Sequence, residues 1–188
     1  AVTSVLGYLV FNRFPFDMYR IAWQRVQVLY LILDYFVLAV PFFCSGFAIG
    51  LALAQADNSG LIYAANLTGS AAGCLLTIGT LGWLGGGGTV ACCAAIGFLA
   101  AALYVLSRVH QRGAWALGLL AGAAVVVSVM VALRRPPWLE VQVSPYRPLS
   151  QTLQFPDASL VSSRWNAYSR VDVVESSELF LLNTWYHA

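Results

Sequence analysis

Lysine is absent from this chain, and charge of either sign is scarce. All ten basic residues are arginines, set singly or in pairs among eight acids, so no continuous basic surface is available for a nucleic-acid backbone. Only 10% of the 188 residues are charged, against about 25% in soluble domains. That excludes an ordinary soluble globular domain, which needs more polar surface than this chain carries. Histidine is nearly missing too: His110 and His187 lie outside the apolar runs, which excludes haem or pigment ligation from within a span. Cys44, Cys74, Cys92 and Cys93 lie inside those runs without C-x-x-C spacing, so they read as small packing residues rather than zinc ligands. No cofactor and no metal follow from this composition.

What the chain has is long apolar runs. It is 60% apolar, with a mean hydropathy of +0.73, unevenly spread: residues 26–133 are nearly free of charge, while 136–188 have ordinary soluble composition. The boundary falls at Arg134-Arg135-Pro136-Pro137. The organising stretch is 60–84, which holds 25 residues without a charge, enough at about 1.5 Å per residue to cross a hydrocarbon core of about 30 Å. Gly69 and Gly73 set a GxxxG spacing on one face, where another helix backbone can approach closely. The expectation is a helix in the middle of a bundle.

Taken in order, residues 1–11 form an apolar helix too short to span, with the look of a fragment or processed start. Residues 12–25 are a polar interfacial connection with three arginines and several aromatics. Residues 26–55 make the first full span, kinked at Pro41. Asp34 is the one acid within it, either an intramembrane polar site or a partner for Arg25. Gly46 and Gly50 repeat the small-residue spacing. After the 60–84 span, Gly85-Gly86-Gly87-Gly88 lacks the lysine and hydroxyl residue of a phosphate loop and reads as a tight connection. Spans over 89–107 and 114–133 follow. Asn66 and Thr68 add polar groups to the second span, so Asp34, Asn66 and Thr68 together would be the lining of a transporter path.

Four crossings return the chain to the side of the 12–25 connection. Arg13, Arg20, Arg25, Arg134 and Arg135 then share one side against Arg108 and Arg112 on the other, which orients the tail to the cytoplasm by the positive-inside rule. In the tail, 138–143, 160–161 and 171–175 read as short strands, too few to form a stable domain unaided. The fold class expected is an all-α polytopic membrane helix bundle over 1–135, followed by a small extramembrane β segment over 136–188.

Five segments carry a family resemblance: FPFDMYRIAW at 14–23, VPFF at 40–43, YAANLTGSAAG at 63–73, SPYRPLSQ at 144–151 and RWNAYSRVDVVES at 164–176. Together they resemble the spermidine-synthase-like integral membrane proteins of bacteria. The resemblance implies a multispan domain in the bacterial inner membrane joined to a cytoplasmic part related to aminopropyltransferases. The glycine-rich nucleoside loop and the acidic residues of the soluble relatives are not in this sequence, so no catalytic residue is carried over; Asn66 stands where an aspartate would be expected. The chain is then a non-catalytic membrane anchor or accessory subunit, with the lipid bilayer and other membrane subunits as its partners. The alternatives are a subunit of a larger membrane complex without polyamine chemistry and, third, a transporter segment.

Overall fold

The computed structural model describes residues 1–14, 16–107, 114–141 and 148–176. It is a helix bundle with a small antiparallel hairpin after it. The helices are α1 (Val2–Arg13), α2 (Val26–Ala54), α3 (Ser59–Leu106), α4 (Ala114–Arg134) and the short α5 (Pro148–Thr152); the strands are β1 (Ser159–Trp165) and β2 (Arg170–Glu175). Three of these helices, α2, α3 and α4, are long and apolar enough to cross a membrane.

A straight α3 would be about twice as long as a bilayer core is thick, but its backbone breaks at Gly85, with φ 73° and ψ −178°. Glycine adopts that positive φ without the clash a Cβ would bring. The arms on either side, 59–84 and 86–106, are each of spanning length. The four-glycine connection expected from sequence is therefore a single-residue break, and Gly86–Gly88 are already helical. Asn58 starts the first arm by accepting the Leu61 N–H at 3.2 Å through its side chain, a cap that satisfies one of the amides a helix start leaves open.

Chain geometry makes the crossings alternate. Gly7 of α1 lies against Val37 and Pro41 of α2, and Phe14 packs on Tyr30 with ring centroids 6.0 Å apart, so α1 and α2 are antiparallel around the 14–25 connection. A Cβ at Gly88 would come 3.4 Å from the Ala132 carbonyl, and one at Gly118 3.7 Å from Leu106, so the second arm and α4 are antiparallel too. The C-terminus of α1, the Gly85 break and the exit of α4 thus share one end, called here the hairpin end. Tyr8 Oη donates to the Leu139 carbonyl at 2.6 Å and Asn12 Nδ2 to the Glu140 carbonyl at 2.7 Å, tying that end together. Since α2 leaves it, the first arm of α3 has to return to it.

The core is made of alanine. Ala91, Ala94, Ala95, Ala102, Ala114 and Ala132 are buried with Leu139, and Tyr8, Leu9, Leu84 and Val131 pack around the Ala91–Ala132–Leu139 cluster. Small side chains let the second arm, α4 and α1 approach closely. The first arm is not in the middle of this bundle, contrary to the expectation from its GxxxG spacing. Leu61, Leu67, Leu75, Leu76 and Ile78 are all exposed, and the buried centre is the alanine-rich second arm instead. Contiguity of apolar residues marks a span but does not say which neighbour covers it.

In the tail, the strand expected at 138–143 is not formed over 138–141, where a 3-10 turn at Pro137–Leu139 stands instead, started by two prolines that pre-set φ and remove donors. Residues 142–147 lie outside the described residues. The expected strands at 160–161 and 171–175 are present but longer, paired from Ser159↔Glu175 to Trp165↔Arg170 with an irregularity between Leu160 and Ser162. Asn166 closes the turn, its Oδ1 accepting from the Tyr168 and Ser169 N–H groups at 2.8 and 2.7 Å, an Asx-type turn.

Candidate functional site

The sequence singles out two kinds of residue, glycines for helix contact and polar groups within the spans. Around Gly46, Gly50, Gly69 and Gly73 the structure has open space: among the described residues, nothing lies within 4 Å of a Cβ placed at any of them. Among the described residues these glycines make no helix contact. Their faces run along α2 and the first arm of α3, which also carry exposed Phe36, Phe42, Phe43 and Phe47. The four cysteines are free, and Cys44, Cys74 and Cys93 are exposed rather than packed.

Asp34 behaves differently. It sits on the α2 stripe of Gln27, Asp34, Val37 and Pro41 that faces α1, and it is only 3% exposed. Neither carboxyl oxygen has a hydrogen-bond partner, so Arg25 does not pair with it. The two other polar groups near this stripe are satisfied: Gln27 Oε1 accepts the Asp17 N–H at 2.9 Å and Asn12 holds Glu140. A buried polar group without a partner calls for a physical reason, and burial beneath α1 makes Asp34 the one such group among the described residues. Asn66 lies about two turns from the opposite end of the bundle, whereas Asp34 lies about two turns from the hairpin end. Thr68 Oγ1 donates to its own helix at Ala64, 2.8 Å away. Asp34, Asn66 and Thr68 therefore do not gather into one path.

A third feature was missed in the sequence because its parts are far apart in the chain. At the hairpin end a cleft of about 310 Å³ opens between residues 82–88, the 135–141 segment and the hairpin. Its charged lining is Arg135, Arg164, Arg170 and Glu140. Arg135, at φ 45°, turns the chain out of α4 and donates Nη2 to the Trp83 carbonyl, capping the first arm. Trp165 stands over the break, with ring atoms 3.3–3.4 Å from Cβ positions at Gly85 and Gly86. Gly87 is required more strictly: a Cβ there would overlap the Leu139 carbonyl and come 2.8 Å from Leu139 Cγ. The glycine run is thus a platform on which the tail seats.

On the hairpin face turned toward the break, Arg170 Nε donates to Asp172 Oδ1 at 2.8 Å. Burial acts to raise the Asp172 carboxyl, but hydrogen bonds from Ser163 and Arg170 and the Arg170 charge outweigh it and hold it below its ordinary value. The only sequence signals for this site were the glycine run and the arginine pair at the end of α4. No protein-family model, no curated protein and no solved structure matches this chain.

Proposed function

We propose that this chain is a non-catalytic, membrane-embedded anchor or accessory subunit that docks to a larger membrane protein through α2 and the first arm of α3. The observation that carries this reading is the contrast between the two halves of the bundle. The second arm and α4 pack against each other at the small residues Gly88 and Gly118, leaving Gly122 open, while all four of Gly46, Gly50, Gly69 and Gly73 face open space. Apolar surface alone has no reason to leave lipid, whereas small-residue faces associate because backbones pack closely there. Five arginines, Arg13, Arg20, Arg25, Arg134 and Arg135, belong to the hairpin end, which supports a cytoplasmic placement of that end in a bacterial inner membrane.

The resemblance of 164–176 to spermidine-synthase-like membrane proteins supplies the runner-up, a bundle that anchors an aminopropyltransferase-related part. Its support is that this motif spans the end of β1 and all of β2; a gene that continues into a glycine-rich nucleoside loop would favour it.

Affinity purification of the tagged chain from its native membrane tests the docking reading. The expected result is a partner in fixed ratio, lost in the double variant Gly69→Leu, Gly73→Leu while the chain itself keeps its melting temperature. Recovery of the native chain alone and monodisperse in mild detergent would refute it.

A further inference from the structure

We propose that the cleft at the Gly85 break is a binding site for the phosphate of an anionic lipid headgroup. The inference shares with the proposed function only the premise that the helices span a membrane; it stands whether or not a partner docks on α2.

The chemistry is that of an anion site. Among the described residues, Arg135, Arg164 and Arg170 line a cavity of about 310 Å³ against one acid, Glu140. A guanidinium carries five donors. Arg170 spends Nε on Asp172 and Arg135 spends one Nη2 donor on Trp83, so each is held in place with donors left over. Such pre-positioned forks suit phosphate oxygens better than lysine would. The first turn of the second arm, Gly86–Gly88, also lines the cleft beside Trp165 and Leu139 and brings the positive end of a helix dipole to its wall.

Position selects the lipid over a soluble phosphate. The cleft lies where the two arms of α3 and α4 all end, at headgroup depth if these helices span. Trp83 and Trp138 flank that level, 77% and 58% exposed, as aromatic residues do at an interface. Leu133, 66% exposed, offers apolar surface just below for the acyl chains, which a free phosphate would leave unused.

The test is a titration of the purified full chain in neutral detergent with short-chain phosphatidylglycerol, phosphatidylcholine or inorganic phosphate, read by melting temperature and tryptophan fluorescence. Phosphatidylglycerol is expected to raise the melting temperature and shift the emission in a saturable way, with the other two inactive at the same concentration. Arg170→Gln should weaken the apparent affinity about tenfold or more, and Arg170→Lys should restore part of it. Arg134→Gln, at the same end but outside the cleft, should stay within about twofold. Equal stabilisation by phosphatidylcholine, an equal loss in Arg134→Gln, or full activity of inorganic phosphate would each overturn the assignment. Should Arg170→Gln fail to fold, native mass spectrometry of the unaltered chain decides: retained phosphatidylglycerol supports the site, and delipidated protein of unchanged melting temperature refutes it.

Discussion

At the scale of single residues, two glycines in similar sequence surroundings do opposite things. Gly87 is filled against by Leu139, so Gly87→Ala should destabilise the chain by about 1–3 kcal/mol through overpacking. Gly73 has no neighbour, so Gly73→Ala should be neutral or stabilising by up to about 1 kcal/mol through helix propensity. Thermal unfolding of both variants in one detergent checks the contrast, and equal effects would mean that the tail does not seat on the glycine platform. Asp34 yields a second expectation at this scale. Its carboxyl is buried without a donor, a desolvation that nothing on the described residues offsets. Asp34→Leu should therefore raise the melting temperature, while Asp34→Ala, which opens a gap under α1, should not. A fall with leucine would show that Asp34 holds a partner the bundle needs.

At the scale of elements, the β1–β2 hairpin depends on contacts outside itself. Two strands are marginal alone, and this pair is held to the bundle by Trp165 over Gly85 and Gly86 and internally by Arg170–Asp172. The Asp172 carboxyl is lowered in the folded hairpin. Its contribution is complete above the ordinary aspartate value of about 4 and is lost as pH falls through the lowered folded value. Proteolytic cleavage within the hairpin should thus accelerate below about pH 4, and Asp172→Asn should cleave faster at neutral pH with much less acceleration in acid. The same acid acceleration in the variant would assign the effect elsewhere. Trp165→Ala should release the hairpin at every pH, since its ring makes the contact with the break.

For the whole molecule, the alternating crossings fix which connections share a side. With the four native cysteines replaced by alanine, single cysteines at positions 22 and 154 should label from one side of sealed vesicles and a cysteine at position 57 from the other. Labelling of positions 57 and 154 from one side, with position 22 on the other, would mean that α3 does not turn at Gly85. This is also the scale at which sequence and structure part company. Length and hydropathy were sufficient for the spans, because a bilayer demands about 20 apolar residues per crossing and that demand is local. The ends of α2 and α4 moved by a single residue from the apolar runs, and β2 appeared where Val171, Val173 and Val174 recur.

What the sequence by itself determined is the class of the molecule: scarce charge, no lysine and apolar runs of spanning length leave a helix bundle with a small polar tail. Which helix lies at its centre was decided only by tertiary structure, because Gly69 and Gly73 advertise close packing as well as Ala91, Ala94 and Ala95 do, and only the path of α4 and α1 chooses between them. The turn at Gly85 rather than across four glycines, the isolation of Asp34 and the arginine cleft have the same origin. Each depends on residues distant in the chain meeting in the bundle, as when Arg135 reaches Trp83, Tyr8 reaches Leu139 and α1 covers the α2 face around Val37, and local pattern holds no record of such meetings.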